Sequence, residues 1–168
     1  MSTPPLQLWC TAKQAVVPFE PGPVVTMYTC GITPYDSAHL GHAAVYVTYD
    51  VLQRRLIDRG YAYQAGGAVY FDVGRFAEFG TIGNYSREEM LALARERGGD
   101  VDNPAKRDPL DFVLWQPSAP DEPSWDTLWG PGRPGWHIEC SALALRELGS
   151  TIDLHGGGSD LIFPHHEC

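Results

Sequence analysis

The chain has 168 residues, 43% hydrophobic and 20% charged, which suits one hydrophobic core rather than two full domains. Its 21 acidic and 12 basic side chains give a formal charge of -9, so the surface as a whole repels a polyanion and generic nucleic-acid binding is disfavoured. No run approaches the roughly 18 to 20 apolar residues that cross a bilayer, and residues 1–19 lack the basic start and apolar stretch of a signal peptide. A cytoplasmic protein without a membrane segment is expected. Cys10, Cys30, Cys140 and Cys168 are widely spaced in a chain too large to need stapling, so free thiols or metal ligands are expected instead of disulfides.

Val24 to Tyr28 is a short apolar run that reads as a buried strand delivering Cys30 and Gly31 into a loop. A turn follows at Pro34, Asp36 and Ser37. From Gly41 to Ile57, Val45, Tyr49, Leu52 and Leu56 recur at helical spacing, with Arg54 and Arg55 in the last turns before Gly60. Ala68 to Val73 is aromatic and β-branched and predicts a strand. Ser86, with Glu89 three residues on, is a capping box that opens a helix ending near Gly98 and Gly99.

Residues 100–134 hold half of the prolines together with Trp115, Trp125 and Trp129, which predicts an ordered loop packed by aromatics. Ile138 to Leu148 reads as a helix stopped by Gly149, and Thr151 to His155 as a short strand running into Gly156, Gly157 and Gly158. Two strand-to-loop junctions thus frame a candidate site, as in open α/β sheets, where ligands sit beyond strand ends.

Cys30, Cys140 and His165 lie in loops or at element ends beside glycine or proline. Two thiolates and an imidazole form a zinc-type donor set, and three protein ligands leave a position open to a small molecule. Spacing alone favours the plainer alternative, two buried small side chains and a surface histidine, because there is no CxxC or HExxH. His39 and His42 flank Leu40 and Gly41 where the first helix is expected to begin, a place that suits phosphate, although histidines there are more often solvated or capping residues. Gly156 to Asp160 is either a tight turn or a backbone bed for a nucleoside, with Asp160 accepting from a hydroxyl.

Four ordered strings carry a resemblance: MYTCGITPYDSAHLGHA (27–43), KRDPLDFVLW (106–115), GPGRPGWHIECSALAL (130–145) and DLHGGGSDLIFPHHE (153–167). Together they resemble the class I cysteinyl-tRNA synthetase family. They resemble more closely its offshoot, the ligases that join cysteine to glucosaminyl-inositol in mycothiol synthesis. GITPYD, the second histidine of HLGH and residues 95–111 favour that branch.

The resemblance implies an α/β fold, a minimal Rossmann-like nucleotide-binding core of the class I synthetase type, with residues 1–168 forming one reduced catalytic domain and residues 1–22 an extension. It implies zinc on Cys30, Cys140 and His165, with Cys168 a candidate fourth ligand and the substrate sulfur on the metal. It implies His39 and His42 as catalytic, ATP-handling residues. Gly41, Gly156, Gly157, Gly158 and Asp160 would join them around ATP and Mg2+, with Gly31, Thr33 and Trp136 around cysteine. The activity implied is ATP-dependent formation of cysteinyl-adenylate and transfer to an amine, thiol or carrier protein.

Departures from the family pattern lie at Leu56 to Tyr61, which pass almost directly to AVYFDV where the family has a second strand and a helical insertion, and at the end, before the family's lysine-bearing KMSKS loop. With only Lys13 and Lys106 present, a partner chain or a homodimer is one expected source of the missing parts. Two rival readings are a non-catalytic cysteine-binding module serving a partner and a truncated cysteinyl-tRNA synthetase-like protein. The acidic surface argues against tRNA as a partner.

Overall fold

The computed structural model describes residues 6–30 and 54–168. The expected turn at Pro34, the start of the first helix, and the site candidates Gly31, Thr33, His39, Gly41 and His42 lie outside the described residues. Of that helix the described part is residues 54–58, which end at Asp58 and are closed by Gly60 at φ +76.

The first eighteen residues hold an unexpected hairpin, β1 (Gln7–Cys10) paired antiparallel with β2 (Ala15–Pro18). Strand β3 is Met27–Thr29, later than the apolar run suggested. Val24 and Val25 stay exposed because pairing begins only where a partner is available, at Thr26, whose carbonyl accepts from Leu154 N. That partner is β8 (Leu154–Gly156), parallel to β3 with Tyr28 opposite His155. Asp153 fixes the entry to the pair by accepting from Thr26 N at 2.8 Å and Thr26 Oγ1 at 2.7 Å. The expected strand at 151–155 is therefore displaced, with Asp153 acting as a clamp at its start.

A four-stranded antiparallel sheet forms the larger layer: β4 (Ala62–Ala65), β5 (Ala68–Phe71), β6 (Phe112–Gln116) and β7 (Arg133–Pro134), adjacent in that order. Gly66 and Gly67, both at positive φ, make the two-residue β4–β5 turn that the strand twist prefers. After Phe71 the chain leaves the sheet, and Val73–Arg75 is a 3-10 turn, so the expected strand through Val73 stops two residues early.

The expected loop at 100–134 contains β6, which is at the centre of the core. Leu114 is fully buried and Trp115 nearly so, with Trp125 and Trp129 packed against that cluster. The aromatics do pack the segment, but FVLWQ has the composition of a strand and no proline interrupts it. Helix α1 (Arg87–Glu96) has the full capping box at Ser86 and Glu89. Helix α2 (Trp136–Leu148) starts two residues earlier than expected and ends at Gly149, φ +85.

A second core cluster joins Val73, Ala94, Val101, Leu110 and Phe163, tying α1 and the chain's last turn to the sheet layer. All four cysteines are free. Among the described residues no helix is long and apolar enough to cross a membrane.

Candidate metal and amino-acid site

The parallel β3–β8 pair sets the site, because parallel neighbours end side by side. Cys30 follows β3 directly and its N–H donates to Gly156 O at 2.9 Å, so the thiol and the glycine loop leave the sheet together. Helix α2 comes in beside them. Trp136, His137 and Cys140 share one face of its first turns, since residues three and four apart align on a helix. The third contributor, the 3-10 turn His165–Glu167, is anchored from both sides. Phe163 is buried in the second core cluster, while the Glu167 carboxylate, 4% exposed, accepts from Gly80 N at 2.8 Å and Gly83 N at 2.5 Å.

These elements bring one ligand atom each of Cys30, Cys140 and His165 within 4.8 Å of one another. Cys30 is 7% exposed and His165 6%. The donor chemistry fits zinc, two sulfurs and an imidazole being a common set for that ion. Burial pushes the Cys30 thiol up to about 12, and the neighbouring Cys140 sulfur adds to the shift. A cation held between the two sulfurs would favour their thiolate form. Burial also raises the Tyr28 hydroxyl above its ordinary range, with its hydrogen bond to Cys140 as a second cause.

Around this triad stand histidines that the sequence did not single out. His137 Nδ1 lies 2.8 Å from His165 Nδ1, and Trp136 Nε1 donates to His137 Nε2 at 2.9 Å, so indole and imidazole fix the ring of the candidate ligand. Burial lowers His137 to about 3, helped by His165; it lowers His165 to about 4, helped by His166 and His155. Neutral rings are the form that binds metal. Cys30 Sγ is 3.3 Å from His155 Nε2, and Cys30, His155 and His166 form a second set meeting the same 4.8 Å limit. The two sets share the Cys30 sulfur.

Cys168 belongs to neither set; its thiol donates to Pro164 O at 3.0 Å. Trp136, half-exposed at 51%, has its ring 4.5 Å from that of His165, which leaves an indole face open beside the triad. Gly156 ends β8, and Gly157, Gly158 and Asp160 form an exposed loop whose Ser159–Leu161 turn follows. A Cβ on Gly157 would meet the His166 ring at 2.7 Å, so glycine there keeps the loop close to the histidines. The pairing of His165 with His166 and the placing of His137 next to Trp136 were the local signals for this shell, but only the fold shows that they converge.

A cavity of about 260 Å³ runs past the triad, lined by Tyr28, His137, Cys140, His155, His165 and Cys168. A larger one of about 600 Å³ opens on the far side of His137, against the sheet.

A family model described as the class I (C) catalytic domain of tRNA synthetases matches residues 16–56 and 53–168. Curated relatives include L-cysteine:1D-myo-inositol 2-amino-2-deoxy-alpha-D-glucopyranoside ligases. That of Mycolicibacterium gilvum is 37% identical over 242 residues, 98% of this chain and 54% of the relative. Those of Nakamurella multipartita and Mycolicibacterium smegmatis are each 38% identical over 242 residues, 98% of this chain and 60% and 59% of theirs. The chain spans somewhat over half the length of these relatives. Since 242 aligned positions face only 168 residues, more than seventy positions have no counterpart here. The two matched stretches meet at residues 53–56, next to the place where the sequence pattern lacks a core segment.

Proposed function

The chain belongs to the class I (C) tRNA synthetase catalytic-domain family, and on that premise we propose that it activates L-cysteine with ATP and transfers it to an amine. The observation that carries this reading is the convergence of Cys30, Cys140 and His165 beside the open face of Trp136. A zinc ion held there would discriminate thiol from hydroxyl by coordination, where a pocket relying on shape alone separates isosteres by only about a hundredfold.

The chemistry proposed has two steps. A cysteine carboxylate oxygen attacks the α-phosphorus of ATP and pyrophosphate leaves. An amine nitrogen then attacks the acyl carbon, AMP leaves, the amide forms and the nitrogen gives up a proton. His39, His42 and Gly41 are proposed at the phosphates, with Gly156 to Gly158 and Asp160 under the adenosine, on a Rossmann-like core, and Gly31, Thr33 and Trp136 around the amino acid. Mg2+ is proposed on the pyrophosphate. Catalysis is then mainly positioning and charge stabilisation. The relatives are named as ligases of cysteine with a glucosaminyl-inositol amine, and we propose the same acceptor class, not tRNA, for this acidic chain.

The absence of more than seventy aligned positions supports one alternative, a cysteine-binding module that has lost adenylation and serves a partner. Exchange of labelled pyrophosphate into ATP, run with each amino acid in turn, decides between them. Incorporation with cysteine alone is the result expected. No incorporation from a protein that still binds cysteine through zinc would overturn the ligase reading in favour of the binding module.

A further inference from the structure

His137 lines two cavities. On one side is the 260 Å³ space of the cysteine and histidine cluster, and on the other the 600 Å³ space between the sheet, the end of α1 and the segment after it. Of the residues lining the second cavity, Trp136 and His137 also belong to the candidate metal and amino-acid site. Its polar lining includes Tyr70, Asp100, Asn103, Lys106, Asp111 and Gln116. We propose that this cavity is the acceptor site and that it takes a phosphate-free polyol bearing a primary amine, of the amino-sugar class, with its amine at the His137 end.

This deepens the transfer reading above and rests on it. The volume lies within the roughly 300 to 1,000 Å³ of small-molecule sites, enough for two linked six-membered rings. The wall offers both donors and acceptors: the Asp100 carboxylate, the Asn103 amide, the Lys106 ammonium and the Tyr70 hydroxyl. Hydroxyl groups, which donate and accept at once, match such a mixture. A phosphate chain does not. The two arginines that reach the cavity are already engaged, Arg97 with the Phe163 carbonyl and Arg133 with both oxygens of Glu122 at 2.8 and 2.9 Å. Asp100 would repel a phosphate, and the chain carries a charge of -9. Lys106, by contrast, makes one long hydrogen bond, 3.5 Å to Pro109 O, so its donors are available to a ligand. The half-exposed indole of Trp136, which lines this cavity next to His137, offers an apolar face to a sugar ring. An amine held there adjoins the place proposed for the cysteine acyl group.

The test is calorimetric titration of 1D-myo-inositol 2-amino-2-deoxy-alpha-D-glucopyranoside into the full chain and into Asp100→Asn and Lys106→Met, with cysteine titrated separately into each. Each substitution removes a charge-assisted hydrogen bond and is expected to weaken the amino-sugar ligand about tenfold or more, while cysteine affinity stays unchanged. Backbone amide shifts at Gly98, Gly99 and Asn103 should move on saturation of the unsubstituted protein, which reads occupancy without any variant. Unchanged amino-sugar affinity in both variants, or no shift at those amides, would overturn the inference. So would displacement of the ligand by a short RNA ending in cytidine, cytidine and adenosine, which would assign the cavity to tRNA. Cysteine-dependent pyrophosphate exchange needs no acceptor, so it separates failure of this inference from failure of the ligase reading.

Discussion

Replacing Glu167 with alanine removes both acceptors that hold the last turn to residues 80–83. The carboxylate is 4% exposed and takes two backbone N–H groups, Gly80 at 2.8 Å and Gly83 at 2.5 Å. A hydrogen bond to a charged group contributes about 1.5 to 3 kcal/mol, so the loss is about 3 to 5 kcal/mol once partial rehydration of the two amides is allowed for. Against a total stability of about 5 to 15 kcal/mol this is a large fraction, and it lowers Tm by about 10 °C in a chain of this size. Glu167→Gln keeps one oxygen and should lose about half as much. Because the same turn presents His165, zinc affinity should fall in parallel. Thermal melts by circular dichroism, with zinc content measured alongside, are the assay. A Tm within about 2 °C of the parent for Glu167→Ala would refute the claim that this carboxylate anchors the site.

Cys140→Ala should lose most bound zinc and His155→Ala should keep it; the opposite pattern in metal analysis would place the ion on the Cys30, His155 and His166 set instead. Gly135→Ala sets a Cβ against the Val113 carbonyl, so the start of α2 must shift, and titration should show cysteine affinity reduced about tenfold through displaced Trp136 and His137. Ser86→Ala removes the α1 cap and should lower Tm by about 2 to 4 °C in a thermal melt. Hydrogen bonds from Ser86 hold the Glu89 carboxyl below its ordinary range. The stability it contributes is therefore full above the unfolded carboxyl pKa of about 4.3 and lost as pH falls through the lower folded value, a dependence that Glu89→Gln should abolish.

Where the determinants are local, the sequence was a good guide. The α1 cap is formed by Ser86 and Glu89 three residues apart, and α2 ends at a glycine, so four or five residues were enough to place each boundary. Strand β6 was hidden because turn-forming prolines on both sides dominated the reading of 100–134, while FVLWQ itself has strand composition. The β1–β2 hairpin gave little signal, since short half-exposed strands of four residues carry weak alternation. At the site, residue spacing favoured ordinary buried cysteines, because Cys30 and Cys140 stand far apart in the chain and meet only where α2 comes in beside the parallel β3–β8 pair. The resemblance supplied that pair and His165 in advance. His137, His155, His166 and Glu167 were passed over because their roles lie in contacts to other elements, which no local pattern encodes.

Cysteine selectivity through zinc is the central claim, and calorimetric titration of cysteine and serine into zinc-loaded and metal-stripped protein tests it most directly. Zinc-loaded protein should prefer cysteine by more than about a hundredfold, the limit of shape alone, and stripping should erase that preference. Equal, weak binding of both amino acids to the zinc-loaded chain would contradict the account.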